Sequence, residues 1–304
     1  MNIAVIGHLV RDIIHRPDGR VIESPGGIAY SIAALAALAP DGSKVLPICR
    51  IGRDIKFSDL GSLSEDARID TSAIKQIDAF DEVHELRYES DGYRTEINHN
   101  RMRPLSAGLI KPSFRLDAVL INYIGGDEFP PREIDKIKNR FNVPIFIDFH
   151  SLALGMNSNN ERFFRRHPRW RMYVSRADIL QMNNYELKTI FRDIDDSDDS
   201  ILKAASKLLG CGPDAIIITR GDRAVAACWK EGKRTASALI EVPRVETPVD
   251  PTGCGDTFAA AFLISYLAGL DVPDCCRKAA EMAAKKALFS GLDGFSTMPA
   301  LFFA

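Results

Sequence analysis

Short apolar runs alternate with longer amphipathic segments along most of this chain, and this alternation limits the fold more than any other feature. A short apolar run bounded by turn residues is typical of a buried strand, and a period near 3.6 residues is typical of a helix. Their alternation predicts an α/β/α sandwich, in which a central, mostly parallel sheet is covered by helices on both faces. We predict strands at 2–7, 45–49, 117–122, 143–148, 177–182, 215–219, 224–229 and 236–242, and helices at 28–39, 131–141, 160–167, 184–191, 199–209, 256–269 and 273–289.

The predicted helix at 256–269 is apolar on nearly every side and follows a turn of small residues. Gly253, Cys254 and Gly255 would let a ligand approach the main chain closely. The first amides of a helix have no partner within it, and together with the helix dipole they favour a bound anion. Asp256 would then be either an N-cap or a base placed beside the anion site.

A second glycine pair, Gly26-Gly27, precedes the predicted helix at 28–39, which is also apolar nearly all round. The pair would allow close approach of a ligand to the backbone, or it would serve as a helix-entry turn. Asp12 follows the first strand, at the edge where open α/β sheets bind their ligands. Taken alone, it is one aspartate in a loop.

Two later strands also end in polar residues. Asn183 and Glu186 lie three positions apart and share a face if a helix begins there. Glu186 could hold a hydrated Mg²⁺, which binds through few carboxylates, or the pair could be a helix cap. Thr219-Arg220-Gly221 could contact a nucleotide phosphate, with Arg220 as the cation, or form a simple turn. No GxxxxGK[ST] loop or GxGxxG fingerprint supplies such contacts elsewhere in the sequence.

One region breaks the α/β alternation. Residues 83–90 and 93–98 alternate polar and apolar side chains around Asp91-Gly92, which is a strong hairpin signal. A segment near 13–24 could add a strand. We expect either a small sheet that covers one end of the main sheet as a lid, or an ordinary surface hairpin.

Composition excludes several classes of protein. Lys and Arg number 39 against 41 Asp and Glu, which gives no sign of a basic surface for nucleic acid. No apolar run reaches the ~18 residues of a membrane span, and no charged leader precedes the first strand. The six cysteines contain no CxxC pair, which favours reduced thiols. We expect a cytoplasmic protein with neither nucleic acid nor a membrane as a partner.

Together these motifs resemble the ribokinase-like (PfkB-type) carbohydrate and nucleoside kinase family. The resemblance runs over essentially the whole chain, in the order Asp12, Gly26-Gly27, the hairpin, Asn183-x-x-Glu186, Thr219-Arg220-Gly221 and Asp250-Pro251-Thr252-Gly253-Cys254-Gly255-Asp256. It implies a single kinase domain over 1–304, with a lid built from about 13–24 and 81–101. It also implies transfer of the γ-phosphoryl of ATP to a primary hydroxyl of a sugar. The alternatives are a nucleoside kinase of the same fold and a non-catalytic sugar- or nucleotide-binding relative.

The resemblance implies roles for single residues. Asp256 would be the general base, and the amides of Gly253, Cys254 and Gly255 would stabilise charge on the transferred phosphoryl group. ATP and Mg²⁺ would be held by Asn183, Glu186, Thr219, Arg220 and Gly221, with adenine near 273–289 and 290–294. The hydroxyls of the acceptor would contact Asp12, Gly26, Gly27 and Ser31.

The remaining expectations concern the acceptor, a second cation and assembly. Ser31 stands where the family often carries an Asn that contacts the sugar, while Tyr30, Tyr88 and Tyr93 could stack on a nucleoside base. Asp250 and Thr252 match positions that bind a monovalent cation in some relatives, which makes K⁺ a candidate activator. The only partner expected is a small sugar or nucleoside, and the protein would be a monomer or a homodimer through the lid.

Overall fold

The computed structural model describes residues 1–88 and 94–301. Its strands are β1 (Asn2–Ile6), β2 (Leu9–His15), β3 (Val21–Gly27), β4 (Lys44–Ile48), β5 (Arg50–Ile51), β6 (Lys75–Gln76), β7 (Val83–Tyr88), β8 (Arg94–His99), β9 (Ala118–Asn122), β10 (Ile145–Asp148), β11 (Leu154–Met156), β12 (Arg162–Phe164), β13 (Ile179–Asn183), β14 (Ala215–Thr219), β15 (Val225–Glu231) and β16 (Arg234–Ile240). Its α-helices are α1 (Ala29–Leu38), α2 (Pro131–Phe141), α3 (Trp170–Val174), α4 (Asn184–Ile190), α5 (Asp198–Leu209), α6 (Cys254–Leu267) and α7 (Val272–Lys286).

Eight strands form the main sheet, in the order β16-β15-β14-β13-β10-β9-β1-β4. The neighbours from β14 to β4 pair in parallel, while β15 and β16 are antiparallel to the strands beside them. The carboxyl ends of the parallel strands therefore meet at one edge, where ligands bind in open α/β sheets.

Each face of the main sheet has its own apolar core. Successive side chains of a strand point to opposite faces. In β1, Ile3 and Val5 accordingly join the core under α1, α6 and α7, whereas Ala4 and Ile6 join the core under α2 to α5. The predicted α/β/α sandwich with a mostly parallel central sheet is therefore confirmed.

A second, four-stranded sheet has the order β3-β2-β7-β8, and we call it the small sheet. The β7–β8 pair is antiparallel, so the two strands of the predicted hairpin are confirmed, while its Asp91-Gly92 turn and Tyr93 lie outside the described residues. The strands β2 and β3 extend beyond the predicted 13–24. Asp12 consequently lies within β2 and is buried, not in a loop after β1 as predicted.

One predicted helix is wrong, since residues 160–167 contain strand β12 instead. Oδ1 of Asn157 accepts the amides of Asn159 at 2.8 Å and Glu161 at 3.0 Å. Asn160 adopts a left-handed backbone with φ +63°. This Asn-rich turn reverses the chain, so the residues on either side pair as an antiparallel ribbon in place of a helix.

The cysteines and the helix lengths bear on the expected thiols and on the expected lack of a membrane span. All six cysteines are free thiols, and Cys49, Cys228, Cys275 and Cys276 are buried. Over residues 1–88 and 94–301, none of the helices has both the length and the apolar character that crossing a bilayer would require.

Candidate active site

Two adjoining cavities lie at the carboxyl edge of the main sheet. The first, which we call the edge cavity, has a volume of about 340 Å³ and lies between the main and small sheets. The second, the apolar cavity, has a volume of about 440 Å³ and lies beside α7. The residues that line both cavities are Asn183, Thr219, Pro251 and Gly255. A ligand in one cavity can therefore meet a ligand in the other at the start of α6.

Asp256 is held at this meeting point by two other elements of the fold. Its Oδ1 accepts hydrogen bonds from Oγ of Ser31 at 2.6 Å and from Nδ2 of Asn122 at 2.8 Å. The N-cap of α6 is Gly253, with no side-chain capping bond, so Asp256 is not the N-cap. Burial raises the pKa of Asp256, while the Ser31 hydrogen bond and the charge of His150 oppose part of this rise.

The turn before α6 needs glycine for two reasons. Gly253 has φ +82°, a left-handed conformation that costs other residues free energy. A Cβ at this position would also lie 2.3 Å from the ring of Tyr30. The amide of Cys254 donates to the carbonyl of Pro251 at 3.1 Å. Contrary to our prediction, that amide is already engaged, and the amides of Gly253 and Gly255 remain as candidate donors to an anion.

Carboxylates crowd one wall of the edge cavity. Burial raises the pKa of Asp148 well above its ordinary value, and the nearby Glu186 and Asp256 raise it further. Burial alone would lower the pKa of His150, but Glu186, at 3.4 Å from its ring, and Asp148 raise that pKa to about 9. Gln181 donates to Asp148 at 3.3 Å and to the carbonyl of Gly255 at 3.1 Å.

This excess of negative charge fits a hydrated magnesium ion. Mg²⁺ usually binds through one or two carboxylates and keeps several waters. Asp148 and Glu186 are the carboxylates whose mutual repulsion such an ion would relieve. No group of three or more His, Cys, Asp and Glu side chains able to hold a metal ion occurs in the described part of the chain.

Asn183 and Glu186 form the helix cap that we considered as an alternative. Oδ1 of Asn183 accepts the amide of Glu186 at 2.9 Å, and Oε2 of Glu186 accepts the amide of Asn183 at 2.8 Å. This reciprocal pair is a capping box at the start of α4. Both residues also line the edge cavity, so the cap and a ligand-binding role are compatible.

The structure does not bring Arg220 to either cavity. Its guanidinium donates to Asp198 at 2.6 Å and to the carbonyl of Asp196 at 3.2 Å. The predicted contact of Arg220 with a phosphate has no support in this geometry, because this cation turns away to the start of α5. Thr219 lines both cavities and Gly221 lines the apolar one, and their contact with ATP stays a prediction.

The predicted acceptor residues divide into two groups. Asp12 and Gly27 line the edge cavity, and a Cβ at Gly26 would lie 2.2 Å from the Asp12 carboxylate. Ser31 is fully buried and does not line the cavity. The predicted contact of Ser31 with the acceptor has no support in this geometry, because its hydroxyl is bonded to Asp256.

Several cavity residues were not predicted from the sequence. Asn122 and Asp148 are the last residues of β9 and β10, so the strand-end signal that singled out Asn183 would have found them. His84 and Glu96 come from the small sheet, and the only sign of them in the sequence was the alternation of polar and apolar side chains within the hairpin. Gln181 lies inside β13 and carries no such signal.

Comparisons with known proteins show the family of this chain. A model described as pfkB family carbohydrate kinase matches residues 166–296. A cytidine kinase of Thermococcus kodakarensis is 32% identical over 285 residues, which cover 93% of this chain and 95% of the relative. The chain belongs to the pfkB carbohydrate kinase family. A deoxyribokinase of Salmonella typhi is 25% identical to this pfkB kinase over 315 residues, covering 93% and 92% of the two chains.

Solved structures support the fold of this pfkB kinase. A ribokinase from Thermotoga maritima has a TM-score of 0.73 at 20% identity and covers 98% of this chain and 96% of its own. A nucleoside kinase from Burkholderia thailandensis, solved in complex with inosine, has a TM-score of 0.69 at 20% identity, with 97% and 93% coverage. At this identity the likeness concerns the ribokinase fold alone, which was predicted. The expectation of a kinase is confirmed by the family.

Proposed function

We propose that this kinase transfers the γ-phosphoryl of ATP to a primary hydroxyl of a nucleoside, with Asp256 as the general base. The single observation that carries the proposal is the meeting of two cavities at Gly255, one residue before Asp256. Phosphoryl transfer requires that donor and acceptor be held in line, and little covalent chemistry from the protein. Adjoining sites for the two substrates supply that alignment.

The apolar cavity suits the adenine of the donor. Its walls include Val225, Val242 and Phe258, together with alanines of α7 and the residue that follows it, namely Ala280, Ala283, Ala284 and Ala287. Small side chains leave a slot for a flat ring, and apolar walls favour its burial. Pyrophosphate would have no use for such a slot, so the cavity favours a nucleotide as donor.

The edge cavity suits an acceptor with a base. Leu86 and Tyr88 give it an apolar and aromatic wall, beside His84 and Glu96. Arg162 donates to Glu96 at 2.7 Å, which holds that carboxylate in place. Such a wall could stack on a base and hydrogen-bond to its edge. The near full-length similarity to a cytidine kinase also favours a nucleoside acceptor.

A free sugar is the second candidate acceptor, and it was the first choice from the sequence. The similarity to a deoxyribokinase supports it. Asp12 supports it as well, because a buried carboxylate facing the cavity is a good acceptor for sugar hydroxyls. Asp12 would serve a nucleoside equally, through its ribose.

In the proposed reaction Asp256 takes the proton of the acceptor hydroxyl. The hydrogen bonds from Ser31 and Asn122 both end on Oδ1, which orients Oδ2 for this proton. The hydroxyl oxygen bonds to the γ-phosphorus as the bond from that phosphorus to the bridging oxygen breaks, and ADP leaves. The amides of Gly253 and Gly255 donate to the charged phosphoryl oxygens at the positive end of α6.

Asp148 and Glu186 would hold magnesium, partly through water, and Mg²⁺ when bound offsets the negative charge of the phosphates. His150 lies beside them, with its ring 3.4 Å from Glu186. The small sheet forms the opposite wall of the edge cavity. We propose that it acts as a lid, which would exclude water and limit hydrolysis of ATP.

A panel of acceptors tests the proposal. The purified full chain is incubated with ATP and Mg²⁺ and with cytidine, uridine, adenosine, ribose or deoxyribose, and ADP release and product mass are measured. We expect the highest kcat/KM with a nucleoside and a product carrying phosphate on its primary hydroxyl. Turnover of free sugars alone would overturn the nucleoside assignment. Stabilisation by these ligands without turnover of any would overturn the reaction itself.

A further inference from the structure

Lys286, the last residue of α7, carries a fully buried ammonium group. Its Nζ donates to the carbonyl of Phe289 at 3.0 Å. It also lies over two aromatic rings, 4.7 Å from the centre of Phe289 and 5.6 Å from that of Tyr30. A buried cation costs free energy unless negative groups compensate for it, so its surroundings should show what it stabilises.

A charge of opposite sign that offsets this cost is carried by Asp250, four residues before the start of α6. Asp250 is buried, and its carboxylate accepts the amide of Thr252 at 2.9 Å and the hydroxyl of Ser290 at 2.8 Å. Its own amide and that of Val249 donate to the carbonyl of Ala287. The loop is thus tied to the residues that directly follow Lys286.

The charges of Lys286 and Asp250 each shift the pKa of the other group. Burial lowers the pKa of Lys286, and Asp250 opposes this change. Burial alone would raise the pKa of Asp250, but the Thr252 and Ser290 hydrogen bonds and the Lys286 charge hold it below its ordinary value.

Asp250 and Thr252 were our candidate site for potassium, and the surroundings of Asp250 do not fit that ion. A bare monovalent cation would need oxygen ligands such as the Asp250 carboxylate and neighbouring carbonyls. The ammonium of Lys286 already bonds to one such carbonyl, that of Phe289. A second cation would have to be buried beside the first, where like charges repel strongly.

We propose that the Lys286 ammonium is a built-in substitute for a monovalent cation, and that this kinase needs no potassium. Lys286 acts on the reaction in two ways, through its charge on Asp250 and through its contact with Tyr30. Asp250 lies three residues before Gly253, in the turn that presents the Gly253 and Gly255 amides, and Tyr30, under the ammonium, packs against Gly253. Lys286 is therefore a positioning residue. The inference rests on the proposed function, because it assigns that loop to the phosphoryl group.

The test compares wild type with Lys286→Ala and Lys286→Met in choline, sodium, potassium and ammonium chloride at constant ionic strength. We expect the wild-type rate to be the same in all four salts. In choline, Lys286→Ala should lose roughly tenfold or more in kcat. Potassium or ammonium should restore a large part of that loss, because the truncated side chain leaves space for the ion, whereas Lys286→Met, which fills the space, should be restored less.

Lys285→Met is the matched control. Lys285 is the preceding residue of the same helix, but its side chain is only half-buried and its ammonium is 3.8 Å from Glu281. Its replacement should change neither the rate nor the salt dependence. Severalfold activation of wild type by potassium would overturn the proposal, and so would failure of potassium and ammonium to restore Lys286→Ala.

A second measurement separates this inference from the proposed function. The Tm of Lys286→Ala should rise when potassium replaces choline, while the Tm of wild type and Lys285→Met should not, because only the variant has a vacant cation site. This comparison requires no turnover, so it remains decisive if no acceptor in the panel is phosphorylated. If Lys286→Ala does not fold, the rates of wild type and of Lys286→Met in the four salts are compared instead. Activation of wild type by potassium would again overturn the proposal.

Discussion

The side-chain amide of Asn122 donates a hydrogen bond of 2.8 Å to Oδ1 of Asp256, although the two residues are 134 positions apart. Asn122 ends a central strand, and Asp256 lies in the first turn of the buried helix α6. The same amide lies 3.2 Å from Oγ of Ser31. The proposed base is therefore oriented by a strand and a second helix as well as by its own helix.

We expect Asn122→Leu to lower kcat by about 10- to 100-fold, because a hydrogen bond to a charged group is worth about 1.5–3 kcal/mol.

Asn122→Asp would instead place a second carboxylate beside Asp256. It should raise the pKa of the pair and move the acid limb of the kcat–pH profile upward by more than about one pH unit. Profiles of both variants that coincide with wild type would contradict this role.

Asp256→Asn should fold and bind ATP normally but lose about 10²–10⁴-fold in kcat. An asparagine oxygen can still accept from Ser31 and Asn122, yet the amide cannot take the proton of the acceptor. Asp199→Asn is a matched control, since Asp199 lies in the first turn of another helix, α5, and is exposed. Single-turnover rates and ATP binding would be measured for both. A kcat close to that of wild type in Asp256→Asn would exclude the residue as the base.

The acid limb of the kcat–pH profile should lie above the ordinary aspartate value of 3.8, because burial raises the pKa of Asp256 and only its ionised form is a base. The charge of His150 lowers that pKa, so His150→Gln should move the limb to still higher pH. His99→Gln, which removes a histidine bonded to Glu85 in the small sheet, should leave it in place. A downward shift in His150→Gln would have the wrong sign for this account.

Glu186→Gln should raise the concentration of Mg²⁺ needed for half-maximal rate while leaving the fold intact. Glutamine can keep the capping box with Asn183, but it lacks the charge that favours the ion. Glu133→Gln provides a control, because Glu133 is also a buried first-turn glutamate, in α2, where it pairs with Lys136 at 2.7 Å. Titration of the rate with Mg²⁺ at constant ATP decides the matter, and superimposable curves for Glu186→Gln and wild type would refute the assignment.

Gly253→Ala should destabilise the fold by more than Gly269→Ala does. Both glycines have positive φ, +82° and +87°, so both substitutions incur backbone strain of roughly 1–2 kcal/mol. Only at Gly253 does the new Cβ also meet the Tyr30 ring, and overpacking typically costs about 1–3 kcal/mol more. Urea unfolding of the two variants measures the difference. Equal losses would show that the turn tolerates contact with Tyr30.

A site residue could be predicted from the sequence only where the pattern that marks it lies within a few positions of the chain. Asn183 and Glu186 were found because a polar residue after a buried strand is visible within a few positions. Residues 160–167 were assigned to a helix because the side-chain bonds of Asn157 that reverse the chain do not appear in a hydrophobic pattern. Ser31 was assigned to the acceptor, whereas its hydroxyl faces Asp256 across the interface of α1 and α6.

The amino-acid sequence by itself determined the strands and helices of the main sheet, the α/β/α layers and the glycine turn that leads to Asp256. These features depend on periodicity and turn residues, which act over a few positions along the chain. Only the tertiary structure decided that Arg220 faces Asp198, that Asn122 reaches Asp256 and that Lys286 is buried near Asp250. These pairings depend on how distant elements pack, and a buried charge takes whichever partner the packing brings to it.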